Sequence, residues 1–138
     1  MTLVVDASLV VSALVDGGPD GEWAAGLLES ASLAAPHLIM VEVANILRRG
    51  VRARQIGEDS ASLAHDDLLA LAIELFSYEP VAARVWELRG AIPAYDAWYV
   101  ALAESLDAPL ATLDRKLSRA AGPRCNFKLP PASHKSTR

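Results

Sequence analysis

Short apolar runs alternate with stretches of helical periodicity along the whole chain. Four apolar runs are typical of buried or half-buried strands, and they occupy residues 2–5, 32–35, 73–78 and 109–113. Apolar residues that recur every three or four positions predict helices over 8–15, 20–31, 37–52, 58–71, 80–89, 93–106 and 115–120. An edge strand is expected near 126–129. This alternation predicts a parallel sheet with helices on both faces, an α/β fold of the α/β/α sandwich type.

The length and composition of the chain are those of one globular domain. It has 138 residues, of which 52% are hydrophobic and 22% are charged. We find no internal repeat and no low-complexity linker. We therefore predict one domain over residues 1–129, followed by a basic tail over residues 130–138.

Charge is distributed unevenly, although the net charge is only −4. Residues 1–47 contain six acids and no Lys or Arg, whereas residues 115–138 contain seven basic residues and no acid. This asymmetry permits an acidic pocket that attracts cations beside a basic surface that attracts phosphates. A single cysteine excludes an intramolecular disulfide, and no targeting segment or membrane span is evident. We expect a soluble, cytoplasmic protein.

Four of the 17 acids lie within apolar segments, and we call them the acidic quartet: Asp6, Glu42, Asp96 and Asp114. A buried carboxylate needs a cation, hydrogen bonds or a raised pKa. An alternative for three of them is helix capping, because Asp6, Asp96 and Asp114 stand near predicted helix starts. Glu42 lies inside its helix, and its alternative is a salt bridge to Arg49.

The predicted topology brings members of the acidic quartet together. Asp6 follows the first strand and Asp114 follows the fourth, and the carboxyl ends of parallel strands form the crevice where ligands bind. Carboxylate oxygens select Mg²⁺, Mn²⁺ or Ca²⁺ over zinc. The sequence offers no Ser/His pair and no catalytic cysteine context, so metal-activated water is the chemistry that this set of residues allows.

Four short motifs are spread in order along nearly the whole chain. They read Val-Val-Asp6-Ala-Ser8, Glu42-Val-Ala-Asn45-Ile-Leu-Arg-Arg, Tyr95-Asp96-Ala-Trp-Tyr-Val-Ala-Leu-Ala-Glu104 and Thr112-Leu-Asp114-Arg-Lys-Leu. Together they resemble the PIN-domain family, and within it the VapC-type toxins of toxin–antitoxin pairs. The resemblance implies a PIN-like sandwich, a metal-dependent ribonuclease, a homodimer and a cognate VapB-type antitoxin.

The resemblance also implies a role for each site residue. The acidic quartet would bind Mg²⁺, with Mn²⁺ as the alternative ion, and would activate water to hydrolyse RNA phosphodiesters. Thr112 and Ser8 would supply hydroxyl groups around the ions. Asn45 would orient Glu42 or touch the RNA, unless it is a helix-surface amide.

Basic and aromatic residues near the motifs are candidates for RNA contacts. Phosphate contacts are expected from Arg49, Arg115 and Lys116. Tyr99 shares a helix face with Asp96, and it would either stack a base or pack in the core. The tryptophan two residues after Asp96 is bulkier than the family pattern leads us to expect, which bears on substrate contacts rather than on catalysis.

Other functional classes fit the sequence less well. An aspartyl-nucleophile phosphatase usually has a second acid two residues after the first, and here that position is Ser8. A receiver-like Mg²⁺-binding signalling domain usually carries an acidic pair after the first strand, which Asp6-Ala-Ser lacks. A PIN-fold module that binds RNA without cleaving it remains an alternative that the sequence does not separate from a nuclease.

Overall fold

A five-stranded parallel sheet forms the centre of the protein in the computed structural model, which describes residues 1–132. The strands are β1 (Thr2–Val5), β2 (Ser32–Pro36), β3 (Ile73–Phe76), β4 (Leu110–Ala111) and β5 (Phe127–Lys128). Their order across the sheet is β3-β2-β1-β4-β5, and all neighbours are parallel. The predicted α/β/α sandwich is confirmed. Most of the expected basic tail over 130–138 lies outside the described residues.

In the described part of the chain, seven α-helices flank the sheet: α1 (Ala7–Val15), α2 (Pro19–Ser30), α3 (Leu38–Arg52), α4 (Glu58–Ala70), α5 (Ala82–Glu87), α6 (Ala94–Leu106) and α7 (Arg115–Ser118). Helical structure is present over the predicted range 80–89, where α5 is the α-helical part and a 3₁₀ turn lies at each end, Glu79–Val81 and Leu88–Gly90. Within residues 1–132, no helix combines the length and the apolar character needed to cross a membrane.

Two strands are shorter than their apolar runs because their partners end first. The predicted strand over 73–78 stops at Phe76, which is in register with Pro36, the last residue of β2. The run over 109–113 pairs with β1 only through Leu110 and Ala111, because β1 ends at Val5. Strand length in this sheet is therefore set by pairing rather than by local hydrophobicity.

The core anchors the central strand and the long helix α6. Leu3, Val4 and Val5 of β1 are at most 1% exposed, as expected for a parallel strand that is covered on both faces. Helix α6 packs on β1, β2 and β4, and α1 packs on α2, α3 and α4. Burial of each large apolar side chain contributes about 1.5–3 kcal/mol, so the carboxyl end of β1 is held in a fixed position.

The strand order contains a topological switch point between β1 and β4. From β1 the chain adds β2 and β3 on one side, and it then returns to place β4 and β5 on the other side. In open parallel sheets, ligands bind at the carboxyl ends of the strands that flank such a point. Asp6 directly follows β1, and Thr112 directly follows β4, so both lie at this point.

Candidate active site

Asp6 is held by hydrogen bonds at the end of β1, where it is only 9% exposed. Its Oδ1 accepts from the backbone N–H of Leu9 at 3.0 Å and from the Ser8 hydroxyl at 2.8 Å. Its Oδ2 accepts from the Thr112 hydroxyl. Asp6 is the N-cap of α1, so the capping alternative is confirmed for this residue. Both carboxylate oxygens are thereby fixed in orientation.

Thr112 connects Asp6 to Asp114. The Thr112 side chain is fully buried, and its hydroxyl accepts the backbone N–H of Asp114 at 2.9 Å while it donates to Asp6. Asp114 Oδ1 accepts from the backbone N–H of Leu117 at 3.0 Å, which makes Asp114 the N-cap of α7. One hydroxyl thus couples the turns after β1 and β4, and Asp114 is left exposed beside them.

Asp96 lies in the first turn of α6, but it does not cap the helix. Pro93 occupies the N-cap position, so the capping alternative is wrong for Asp96 because the helix begins two residues earlier. Asp96 is partly buried. Burial, together with the negative charges of Asp114 and Asp6, raises the pKa of Asp96. These charges act on one another because the fold brings the three aspartates into one region.

Glu42 is oriented by Tyr99. The Tyr99 hydroxyl donates to Glu42 Oε1 at 2.6 Å, which joins α6 to α3. Tyr99 is 3% exposed, so of its two predicted roles core packing is confirmed and base stacking is not. Burial, the Glu42 hydrogen bond and the charges of Glu42, Asp6 and Asp96 raise the pKa of Tyr99, so the phenol stays protonated and remains a donor.

No cationic side chain of residues 1–132 forms an ion pair with the acidic quartet. Burial raises the pKa of Asp6, and the negative charge of Asp114 raises it further. The hydrogen bonds from Thr112, Leu9 and Ser8 lower this pKa, but burial has the larger effect. The ion pairs found among residues 1–132 all involve Arg84 and none involves the quartet, so the alternative for Glu42, a salt bridge to Arg49, is absent there. A divalent cation would relieve this uncompensated charge.

The chemistry of these donors fits a hard cation, but their side chains do not yet form a closed metal site. In the described part of the chain, no three His, Cys, Asp or Glu side chains are arranged so that they could hold an ion. Both Asp6 oxygens and Oδ1 of the exposed Asp114 are held by hydrogen bonds, and Asp96 is half-buried. Ion binding would therefore require these carboxylates to rearrange.

The supporting residues differ in how close the fold brings them to the quartet. Ser8 donates to Asp6 and accepts the backbone N–H of Leu113 at 3.4 Å, so it spans the same two turns as Thr112. Asn45 is exposed on α3 one turn beyond Glu42. Ser8 and Thr112 therefore contact the quartet directly, whereas Asn45 lies on the helix surface.

The three basic candidates have different surroundings. The Arg115 guanidinium donates to the Pro130 carbonyl at 2.5 Å, which ties it to the segment after β5. Lys116 is exposed and lines a pocket that also contains Asp96 and Asp114. Arg49 is exposed on α3, seven residues beyond Glu42 and thus about 10 Å along the helix axis. Lys116 is the basic residue that the structure places beside the acids.

A partly buried charged cluster outside the quartet escaped the sequence analysis. Arg84 donates through Nε and Nη2 to the two carboxylate oxygens of Glu104 at 2.7 and 3.1 Å, and through Nη2 to the Gly122 carbonyl at 2.8 Å. Glu104 also accepts the backbone N–H of Arg124 at 2.7 Å. Glu104 follows Ala-Leu-Ala, the same apolar context that marks the quartet, and this context was the available signal. Its pairing with Arg84 gives it a structural role.

Substitution of Asp96 by Asn is expected to raise the melting temperature by a few degrees at pH 8 and to have less effect at pH 4. Because the pKa of Asp96 is raised in the folded state, its charged form opposes folding. The stability of the wild type should therefore fall as the pH rises through that pKa. The Asp96→Asn variant should not lose stability in this way, because asparagine carries no charge at any of these pH values. Thermal denaturation across this pH range measures the difference.

Asp59→Asn is the matched control, since Asp59 is also an acid in the first turn of a helix, α4. The melting temperature of the Asp59→Asn variant measures the effect of losing the favourable interaction between an acid and the helix dipole. A melting temperature for Asp96→Asn that tracks the Asp59→Asn control at every pH would contradict the proposed charge repulsion.

Comparison with known proteins identifies the family. The PIN domain matches residues 3–123. The chain is 42% identical to ribonuclease VapC1 of Mycobacterium tuberculosis over 127 residues, which cover 91% of this chain and 96% of that protein. It is 35% identical to ribonuclease VapC9 of the same species over 129 residues, covering 94% and 98%. The chain belongs to the PIN-domain family and, within it, to the VapC proteins, as the four motifs led us to expect.

Solved structures share the fold of this chain. One is the structure of VapBC2 from Rickettsia felis bound to a DNA fragment from the promoter of these proteins. It has a TM-score of 0.67 at 15% sequence identity, and the match covers 94% of this chain and 98% of that chain. VapC20 of M. tuberculosis, a sarcin-ricin loop cleaving toxin, has a TM-score of 0.65 at 17% identity and covers 84% and 92%. At such identities these likenesses show the fold alone.

Proposed function

We propose that this protein is a Mg²⁺-dependent endoribonuclease that acts as the toxin of a toxin–antitoxin pair. The observation that carries the proposal is that the charges of Asp6, Asp96 and Asp114 act on one another, with no basic side chain of residues 1–132 in an ion pair with the acidic quartet. Carboxylates gathered without a partner are costly unless a cation binds among them. The names of the relatives VapC1 and VapC9 support ribonuclease as the activity.

Each residue of the quartet has a role in the proposed site. Asp6, Asp96 and Asp114 would hold the ion, and Mn²⁺ would substitute for Mg²⁺ because both accept oxygen ligands. The bound ion supplies activation of a water molecule and neutralisation of charge on the phosphate. Glu42, fixed by Tyr99, would accept a hydrogen bond from a water molecule at the site. Lys116 would contact a substrate phosphate.

Hydrogen bonding around Asp6 suits this role. The three donors to Asp6 favour its charged form and set the directions of its oxygens, so Asp6 would be the ligand that is already fixed in position. The hydroxyl groups of Ser8 and Thr112 thus act through Asp6, by holding it in position. Arg49, Arg115 and Asn45 would serve as RNA contacts outside the metal site.

The biological context follows from the family. A VapB-type antitoxin would bind this chain and inhibit it, a proposal supported by VapBC2, a VapBC pair among the proteins that share the fold. We further propose that the protein forms a homodimer, resides in the cytoplasm and has a domain that ends near residue 129. The family resemblance supports these three points.

Purified protein should cut cellular RNA in the presence of Mg²⁺, stop when EDTA is added, and resume when Mg²⁺ is returned in excess. Gel analysis of the RNA and mapping of the new 5′ ends measure this result. Glu42→Gln, purified in the same way, controls for contaminating nucleases and should cut at least about 10-fold more slowly. It keeps an oxygen that accepts from Tyr99, so the fold is preserved.

Binding of RNA without cleavage, by a folded protein that is free of antitoxin, would instead favour a PIN-fold module that binds RNA. Cleavage that persists in EDTA would contradict the metal-dependent mechanism.

A further inference from the structure

A pocket of about 360 Å³ opens beside two members of the acidic quartet. Its lining includes Asp96 and Asp114 and three residues from the connection before α6, Ala91, Ile92 and Pro93. The remaining part consists of Lys116 and Leu117 from α7 and of Ala120, which lies two residues beyond the end of that helix. We call this space the α6–α7 pocket. It joins the proposed ion site to a surface that is mainly apolar.

The proposed cleavage chemistry explains only part of this lining. The two aspartates serve the ion, and Lys116 carries a positive charge suited to a phosphate. The apolar residues can coordinate neither an ion nor a phosphate, so the ion chemistry does not account for the apolar surface of the pocket. Ile92 and Leu117 are 8% and 5% exposed and belong to the hydrophobic core, which makes the apolar surface a preformed feature.

We propose that the α6–α7 pocket binds the base of a nucleotide next to the cleaved phosphate, with Lys116 contacting that nucleotide's phosphate. This inference rests on the proposed ribonuclease function. A nucleobase presents two apolar faces and a polar edge, which suits a pocket that has both apolar walls and charged groups. The volume lies at the lower end of the range for small-ligand pockets, about 300–1,000 Å³, so it admits one nucleotide unit.

The pocket would therefore make the protein selective. A base inside it is separated from any pairing partner, so the RNA would have to be unpaired at that position. Differences in base size and in edge groups would decide which nucleotide fits. Phosphate contacts such as that of Lys116 position the chain but carry no base information.

Pocket-filling variants test the inference from two sides. Ala120→Met adds volume from the α7 side, and Ala91→Leu adds it from the connection before α6. Ala121→Met is the matched control, because Ala121 is exposed and is not part of the pocket lining. Cleavage sites are mapped on an RNA pool with a randomised unpaired segment, and kcat/KM is measured on the preferred sequence.

Both filling variants should lower kcat/KM at least about 10-fold and weaken the base preference at one position next to the cut, whereas the control should match the wild type. Circular dichroism establishes that each variant is folded. Lys116→Gln should weaken cleavage of all sequences about equally. Unchanged sites and unchanged kcat/KM in both folded filling variants would overturn the pocket while leaving the nuclease intact.

A binding measurement separates the pocket from the nuclease activity. Backbone amide NMR signals of Ala91 and Ala120 should shift when nucleoside 5′-monophosphates are added with Mg²⁺, most strongly for one of the four bases. These shifts should be reduced in the filling variants. Such shifts without any RNA cleavage would support the pocket and refute the nuclease, and the absence of shifts for all four nucleotides would refute the pocket.

Discussion

Replacement of Asp6 by asparagine is expected to lower the rate of RNA cleavage at least about 100-fold while the domain remains folded. Asp6 is the most constrained member of the acidic quartet, because both of its oxygens are held by hydrogen bonds. Loss of its charge would weaken ion binding and with it the several kcal/mol that a metal ion contributes to catalysis. Each 1.36 kcal/mol corresponds to a tenfold change in rate.

The fold should tolerate this change. Asparagine is as good an N-cap as aspartate, so the hydrogen bond from the Leu9 N–H to the cap can persist. Substitution also removes a carboxylate whose pKa is raised by burial, and its charged form opposes folding at neutral pH. Asp6→Ala would be a poorer experiment, since it also removes the side chain that caps α1.

Two measurements accompany the rate of the Asp6→Asn variant. Titration calorimetry should show weaker Mg²⁺ binding than in the wild type, and thermal denaturation should show a melting temperature close to that of the wild type or above it. Asp16→Asn is the control at the other end of α1, where an exposed aspartate accepts from the Gly18 N–H at 2.8 Å. Wild-type cleavage by Asp6→Asn would remove Asp6 from the proposed site.

Replacement of Arg84 by methionine is expected to lower the free energy of unfolding by about 3 kcal/mol. The Arg84 and Glu104 side chains are 19% and 15% exposed, and the guanidinium joins α5, α6 and the segment before β5. Removal of one partner of a buried ion pair costs about 3–5 kcal/mol, because the other charge is left unpaired, and the residual exposure places this pair at the low end. Denaturation in urea measures the change.

The second partner provides the control for this prediction. In the double variant Arg84→Met, Glu104→Leu no charge remains unpaired, so part of the lost stability should return. Although burial opposes it, hydrogen bonds from Arg84 and the Arg124 N–H lower the pKa of Glu104. A lowered pKa stabilises the folded state above the usual pKa of Glu, and this contribution is lost as the pH falls. Equal stability of Arg84→Met and the wild type at pH 7 would refute the role of the cluster.

Local patterning was sufficient to predict the elements and the chemical character of the site. Periodicity reports which side chains are buried, so the alternation of apolar runs and amphipathic segments led to the α/β/α class and to most element boundaries. Carboxylates in apolar segments are rare because they are costly to bury, so Asp6 and Glu42 could be singled out before any contact was known. The four motifs then led to the PIN-domain family.

Contacts between distant residues were decided only by the tertiary structure. Thr112 and Asp6 are 106 residues apart in sequence, and they meet because β1 and β4 are neighbours in the sheet. Tyr99 donates to Glu42 across 57 residues, a contact that a shared helix face could not predict. Periodicity carries no information on strand order or on which buried groups will face one another. The sequence by itself therefore determined the fold class and the four acids, whereas packing decided their partners, the buried Arg84 cluster and the α6–α7 pocket.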